Sequence, residues 1–414
     1  MPIDRIRAME LHRRARGKIK IYPTINIVNE EDLSMAYIPG SVGPCQAIQE
    51  DEEASFDLTG RANRIAVITD GSAVLGLGPI GPVAALPVME GKCLLFKIFA
   101  DVNALPICLD STNPADVIHT AELLAPCLGG INIEDISSPN TFTVVKELQK
   151  KVSIPVLCDD QHGTAVVILA ALWNALEVVG KSIEKVSIVI NGAGAAGLAV
   201  ADLFLKAGAT GITLLNSAGI LCPSNPKMNH LQLDFASRTN PEGRKGGLEE
   251  AIKGADVFIG LSKGNVLNPD WIRTMANDPV IFVQALPEPE IMPEAALAAG
   301  AAIVASGLYD YPNVISNLHS TPGIMRGALD VRAASLNDSI FLSAARALAS
   351  TVDRRRLGPR HIMPDLFCDE VVPKVAEAVA QTAISEGIAA HPLPKGQVYN
   401  DTWERLFGGR ASRL

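Results

Sequence analysis

Two short apolar runs end in paired carboxylates. Ile131-Asn132-Ile133 leads into Glu134-Asp135, and Pro155-Val156-Leu157-Cys158 leads into Asp159-Asp160. Runs of this length and composition read as buried parallel strands. In a parallel α/β sheet the carboxyl ends of the strands face the ligand crevice. Four acids converging there repel one another unless a cation or a proton intervenes. Hard oxygen donors, with no His or Cys at ligand spacing, suit Mg²⁺ or Mn²⁺ rather than Zn²⁺. Helix N-capping is the competing explanation for one such pair, and it weakens when two pairs occur at strand ends. Gln161-His162-Gly163-Thr164 then opens a long apolar segment. His162 reads there as a capping or supporting residue rather than a ligand.

The second chemical signal is Gly192-Ala193-Gly194-Ala195-Ala196-Gly197. It follows the apolar run Ser187-Ile188-Val189-Ile190-Asn191 and precedes an apolar helical stretch reaching Lys206. A strand, a GxGxxG turn and a helix form the dinucleotide fingerprint. Gly192 permits the tight turn, Gly194 lets the backbone approach a pyrophosphate, and Gly197 lets helix and strand pack closely. The helix N-terminus, with Ala195 and Ala196, offers N–H donors and the positive end of the dipole. The position that would hold the ribose hydroxyls is Asn216 rather than Asp or Glu. Asn can bond a 2′-hydroxyl and does not repel a 2′-phosphate, so both NAD and NADP remain open. The nearest base to welcome that phosphate is Lys227, and the reading leans to NAD.

These residues need a scaffold of alternating strands and helices. From about residue 60 the chain supplies one, so the expected fold class is α/β with mainly parallel sheets. Strands are expected at 64–69, 94–99, 130–133, 155–158, 185–191, 211–215, 257–259, 280–282 and 302–305. A buried helix is expected over 163–179 and an amphipathic one over 371–388, followed by an irregular tail. The organisation predicted is an N-terminal catalytic unit over 1–158 and a Rossmann-type unit with C-terminal helices over 159–414. The 414 residues carry 36 Lys+Arg against 45 Asp+Glu, for a net charge of −9. That balance argues against nucleic acid or an anionic membrane as the main partner, and 5% aromatics argues against a base-stacking surface. The seven cysteines include no CxxC pair, which fits reduced thiols in a cytoplasm. The basic start, with Arg5, Arg7, Arg13, Arg14 and Arg16, lacks an apolar run behind it and contains Glu10. It reads as a solvated helix rather than a targeting segment.

Taken together, the segments resemble the malic enzyme family, of the short bacterial type. The matching text is LSMAYIPG at 33–40, VLGLG at 74–78, PVMEGK at 87–92, GGINIEDI at 129–136, DDQHGTA at 159–165, NGAGAAG at 191–197 and PGIMRGALDVR at 322–332. The resemblance runs over nearly the whole chain in order. It implies Tyr37 as general acid, Lys92 as general base, Glu134, Asp135 and Asp160 as metal ligands, and Asp159 as the acid assisting the lysine. It also implies that Asn317 contacts substrate and that the protein is a homodimer. Such a set oxidises a 2-hydroxy diacid: a lysine held near neutral pKa by burial and neighbours takes the hydroxyl proton. Hydride passes to nicotinamide, CO₂ leaves from the 2-keto acid, and Tyr37 protonates the enolate carbon.

The departures cluster where substrate is expected. Ala285-Leu286-Pro287-Glu288-Pro289-Glu290 stands where the family has an NPxPE run, so Leu286 replaces an amide. A buried polar group losing such a bond costs roughly 1–3 kcal/mol. Ser316 stands where a second Asn is common, and 263–265, 308–311 and 319–321 also differ. His319 and Lys263 are candidates for extra positive charge near substrate. The leading expectation is a metal-dependent oxidative decarboxylase of malate, or of a malate carrying a less polar substituent. Malate dehydrogenase or malolactic-like chemistry on the same scaffold is the alternative, and a catalytically weakened NAD-binding regulatory paralogue is the third.

Overall fold

The computed structural model describes residues 5–224 and 228–408. Lys227 therefore lies outside the described residues. Two parallel sheets carry the molecule. The first contains β1 (Arg64–Thr69), β2 (Asn103–Cys108), β3 (Gly130–Ile133) and β4 (Val156–Cys158), in the order β2-β1-β3-β4. All its pairs are parallel. The second contains β5 (Ser187–Asn191), β6 (Gly211–Asn216), β7 (Gly219–Ile220), β8 (Val257–Gly260), β9 (Val280–Val283) and β10 (Ile303–Ser306). Its order is β10-β9-β8-β5-β6-β7, and only the short edge strand β7 runs antiparallel. Order reverses beside β5, which puts a topological switch point at the glycine loop that follows it.

The segment 94–99, expected as a strand, is helical and lies within the helix Pro82–Ala100. Ala85, Met89, Cys93, Phe96 and Ala100 are its buried residues. Their spacing of four, four, three and four residues is a helical stripe, and it overrides the strand-like composition of the local run. The strand belongs instead to β2, whose Pro106 and turn-like flank disguise it. Pro106 pairs in register with Val67 of β1 while β2 forms an edge of the sheet, where a missing donor is tolerated. The tail is not irregular either, because Gln397–Phe407 is a helix. Tyr399 stacks on Trp403 at 6.1 Å and Trp403 meets Phe407 edge-on at 4.9 Å, the i,i+4 spacing that aligns side chains on one helix face.

The helix Thr164–Val178 leaves β4 through a π-helical turn, Asp159–Gly163. Eleven of its fifteen residues are buried. It lies inside one hydrophobic cluster that runs from Ile65 and Phe96 beside the first sheet, through Val166 and Leu172, to Ile188, Ile259 and Val379. The helix Thr321–Asp330 joins the same cluster through Ile324 and Met325 and packs on both Val371–Ser385 and Pro82–Ala100. The two sheets therefore share a core.

The N-terminal segment is different. Its helices Arg5–Ala15, Glu30–Ala36 and Val42–Glu50 contain no buried residue. Lys18 ties it to the body, its Nζ donating to the Pro87 carbonyl at 2.7 Å and its N–H to Glu90 Oε2 at 3.2 Å. No helix among the described residues is long and apolar enough to cross a membrane.

Candidate active site

Lys92 sits on the helix Pro82–Ala100, one residue before the buried Cys93, and its side chain turns into the body. Its Nζ lies 2.6 Å from Asp159 Oδ2 and 3.0 Å from Glu134 Oε1. Glu134 and Asp135 follow β3 directly, and Asp159 and Asp160 follow β4. The pairing Ile133↔Cys158 sets these two strand ends side by side. All four acids thus arrive at one edge of one sheet, as the strand-end pattern anticipated.

Glu134, Asp135 and Asp160 each bring a carboxylate oxygen to within 4.8 Å of the others. The Asp135 N–H donates to Asp160 Oδ2 at 2.8 Å, and Asn132 Nδ2 donates to Glu134 Oε2 at 2.8 Å. Asp135 has φ 54°, a left-handed conformation that a non-glycine residue adopts at some cost. Its Oδ2 is buried without a hydrogen-bond partner. Burial pushes the Glu134 carboxyl up to about 8 against the opposing pull of Lys92. Burial first, and then the charge of Glu134, raise Asp135 to about 7. Burial and then Asp135 do the same to Asp160, also to about 7. Three acids that resist ionisation, one with an orphaned oxygen, form an oxygen donor set that a divalent cation would relieve. The residues present fit Mg²⁺ or Mn²⁺.

Asp159 is set apart from the other three. Burial works against its anion, but the Lys92 charge and hydrogen bonds from Asn317, Lys92 and Thr321 outweigh it and hold the carboxyl below its usual range. Asn317 Nδ2 donates to Asp159 Oδ2 at 2.8 Å, and the Thr321 hydroxyl donates to Oδ1. A Cβ at Gly163 would lie 2.4 Å from Thr321 Oγ1 and 2.6 Å from Asp159 Oδ1. Only glycine lets Thr321 approach. The sequence does not single out Thr321, because its partner Asp159 lies 162 residues away in the chain; Asn132 carries a local signal that the strand-end reading passes over, since its partner Glu134 is two residues on.

Lys92 departs from the expectation of a near-neutral pKa. Burial disfavours its cation, but the carboxylates of Asp159 and Glu134 outweigh that and hold the ammonium well above its usual range. With both acids unshared, Lys92 is their counter-ion. His162 supports the turn: its Nδ1 accepts the Cys158 N–H at 3.1 Å. His319 is not a cation facing substrate, since it is 1% exposed and burial depresses its imidazole to about 4.

At the second sheet, Gly192 has φ 131°, and a Cβ there would lie 2.3 Å from the Leu261 carbonyl oxygen. A Cβ at Gly197 would lie 1.7 Å from the Gly192 carbonyl oxygen. Around Gly194 nothing lies within 4 Å. Two glycines are thus required by the protein's own packing, and the middle one opens onto free space at the N-terminus of the helix Ala195–Lys206. That cradle fits a pyrophosphate. Asn216 ends β6; its Oδ1 accepts the Ala218 N–H at 2.9 Å and its Nδ2 approaches Gln232 Oε1 at 3.5 Å.

Leu286 follows β9, 49% exposed. Its carbonyl oxygen lies 3.0 Å from where a Cβ of Gly76 would stand, which sets the β9 loop against the first sheet's 74–78 turn. The Ala73 N–H, in the loop between β1 and that turn, donates to the Asp135 carbonyl at 3.0 Å. Glu290, fully buried, accepts N–H bonds from Ser262 at 3.2 Å and Ala285 at 3.1 Å and so joins the loops after β8 and β9. Its structural part was hidden in a run read only for substrate contacts. Tyr37 is not brought to Lys92. It caps the helix Glu30–Ala36 on the N-terminal segment and is 65% exposed.

The sequence profile of the malic enzyme N-terminal domain matches residues 15–122, and that of the malic enzyme NAD binding domain matches residues 161–384. The bifunctional malic/malolactic enzyme of Bacillus subtilis (strain 168) is 45% identical over 396 residues, covering 95% of this chain and 97% of the relative. The NAD-dependent malic enzyme of Geobacillus stearothermophilus is 45% identical over 373 residues, covering 90% and 78%. The crystal structure of malic enzyme from Pyrococcus horikoshii Ot3 superposes with a TM-score of 0.94 at 40% identity, covering 100% of this chain and 98% of that one. With paired domain profiles, long relatives and a shared architecture all agreeing, the chain belongs to the malic enzyme family.

Proposed function

We propose that the chain oxidatively decarboxylates malate with reduction of NAD(P), at the centre where Lys92 meets Asp159 and Glu134. The observation that carries this reading is the 2.6 Å and 3.0 Å contacts of Lys92 Nζ, made beside three carboxylates within 4.8 Å of one another. Glu134, Asp135 and Asp160 would hold Mg²⁺ or Mn²⁺, which when bound supplies a counter-charge to the acids and polarises the C2 oxygen of substrate. Lys92 is the base: with Glu134 turned to the cation it loses one of its two counter-charges, and as the neutral amine its Nζ accepts the C2 hydroxyl proton. Asp159 stays ionised and keeps Nζ in place, with Asn317 and Thr321 fixing its two oxygens. Gly192, Gly194, Ala195, Ala196 and Gly197 bind the dinucleotide, and Asn216 bonds its ribose. Because Asn216 carries no positive charge, NAD is the favoured form.

Tyr37 delivers the proton to the product carbon. An exposed tyrosine can do so only if another surface closes over it. The N-terminal segment exposes Ile21, Tyr22, Val28, Met35 and Ile38 along with Tyr37, more apolar surface than a monomer ordinarily leaves bare. A homodimer covering this segment is the assembly it supports. The division between the two units falls after Cys158, where the first sheet ends.

Leu286 and Ser316 bear on the substrate. With a leucine beside the 74–78 turn, the site admits a malate bearing a less polar substituent as well as malate itself. The test is NAD(P)H formation with Mn²⁺ across malate and 3-alkylmalates, with products separated as pyruvate-type keto acid, oxaloacetate-type keto diacid or lactate. Turnover of none of these defeats the proposal. Lactate release would mark malolactic chemistry, an outcome favoured by the bifunctional malic/malolactic enzyme among the relatives.

A further inference from the structure

One cavity belongs to neither the glycine loop nor the carboxylate cluster. It encloses about 290 Å³ between the helix Asn140–Lys151, which follows β3, and the helices Ala195–Lys206, His230–Thr239 and Asp338–Ala349 of the second sheet. That volume lies near the lower bound for small-molecule pockets. Phe142, Phe235 and Phe341 wall it, and Ala199 leaves room on one side.

The polar groups of this cavity are unequally committed. Asp202 is held by Lys206 at 2.5 Å and by Arg238 at 2.9 Å, and Asp338 by Lys206 at 2.6 Å. Lys146 lines the same cavity, and no hydrogen bond or ion pair among the described residues ties its Nζ. The floor is His162, stacked on Phe341 with ring centroids 4.3 Å apart. Because its Nδ1 accepts the Cys158 N–H, the ring proton sits on Nε2. No protein acceptor meets that Nε2–H among the described residues. The cavity therefore offers apolar walls of aromatic width, one free ammonium and one free N–H donor.

We propose that this cavity is an effector site for a small organic acid with an apolar body about one ring wide. The ring packs among Phe142, Phe235 and Phe341, and the carboxylate faces Lys146 and His162 Nε2. Such a ligand touches both units of the chain. It also presses on the turn Asp159–Gly163, which carries Asp159 and Asp160 as well as His162. Occupancy and cation binding at the carboxylate cluster are then linked, and the linkage is reciprocal.

Phenylacetate is a suitable probe, titrated by calorimetry into the full chain, with phenylacetamide as the uncharged control. Saturable binding of phenylacetate is expected, with phenylacetamide and the Lys146→Gln variant about tenfold weaker, the range of one charge-assisted contact. Ala199→Phe fills the cavity and should abolish binding, while its malate oxidation and circular dichroism stay at wild-type levels. Saturating phenylacetate should change the Mn²⁺ dissociation constant by about threefold or more. Absence of saturation below about 20 mM, far weaker than the millimolar scale of a fragment-sized ligand, overturns the site. So does equal affinity for wild type, Lys146→Gln and Ala199→Phe. An unchanged Mn²⁺ dissociation constant overturns the effector role. Neither the calorimetric affinities nor the Mn²⁺ dissociation constant depends on which diacid the enzyme oxidises.

Discussion

Lys92 and Tyr37 are assigned the two proton transfers of one reaction, yet they sit in opposite surroundings. Lys92 is buried between two carboxylates on a helix packed into the core. Tyr37 stands on a segment whose three helices bury nothing. A base must keep its position and a shifted proton affinity, and both come from burial and fixed charges. An acid on an exposed arm has neither until a second surface supplies them. On the proposed reading, one half of the chemistry is built by folding and the other half by assembly.

Removing the folded half should give the largest effect. Lys92→Ala should lower the rate of NAD(P)H formation by roughly 10²–10⁴-fold, the usual contribution of a positioned base. It also leaves Asp159 and Glu134 without their cation, which costs about 3–5 kcal/mol for a broken buried pair. Urea titration of the metal-free variant would read this loss. Tyr37→Phe should cost about 10²-fold in keto acid release while changing stability by less than about 0.5 kcal/mol, as exposed substitutions do. A large stability loss at Tyr37 would break the contrast. Mixing the two variants sharpens it: if Tyr37 serves the partner copy, half of the dimers are hybrid and one of their two sites is intact, so about a quarter of wild-type activity returns. No recovery would confine Tyr37 to its own subunit.

Leu286→Asn is the next smaller change. It should shift the ratio of kcat/KM for malate over 3-alkylmalates by about tenfold toward malate, near the value of one regained hydrogen bond. An unchanged ratio would detach Leu286 from substrate choice. Cation binding should act on the buried region alone. Mn²⁺ at a hundredfold excess over its dissociation constant should stabilise the chain by about 2.7 kcal/mol, with protease cleavage of the N-terminal segment unaltered. Mn²⁺-dependent protection of that segment would contradict the separation drawn here.

His319 supplies the pH test. Its imidazole is depressed to about 4 by burial, below an unfolded value near 6.5. Between those values the unfolded chain binds the extra proton. The contribution of the neutral ring is therefore complete above about pH 6.5 and is lost as pH falls toward 4, by up to about 3 kcal/mol. His319→Gln should flatten that part of the stability profile in a pH series of thermal melts. An unflattened profile would place the titration elsewhere.

The buried region was also the more readable. Asp135 and Asp160 were visible because a strand end is a short-range pattern, and because the strands they follow are adjacent in the sheet. Gly192, Gly194 and Gly197 were visible because each answers a local steric demand. Thr321 reaches Asp159 across 162 residues, and no periodicity announces such a contact. Leu94 and Phe99 misled because hydrophobic composition alone does not distinguish a helix stripe from a strand, whereas the Met89, Cys93, Phe96 spacing does. Tyr399, Trp403 and Phe407 carried an unused i,i+4 signal for the last helix. The proton affinity of Lys92 was misjudged because it depends on how many carboxylates reach Nζ, a quantity fixed only in three dimensions.

The hydrophobic cluster that passes from Ile65 through Leu172 to Val379 has a thermodynamic consequence. Two Rossmann-like halves joined by a thin linker would denature separately, each with its own heat-absorption peak. Here the helix between the sheets belongs to both interiors, so neither half can lose its packing without exposing the other's. The chain should denature cooperatively, in one calorimetric peak, and a fragment ending at Cys158 should lack the apolar cover it needs to stay folded.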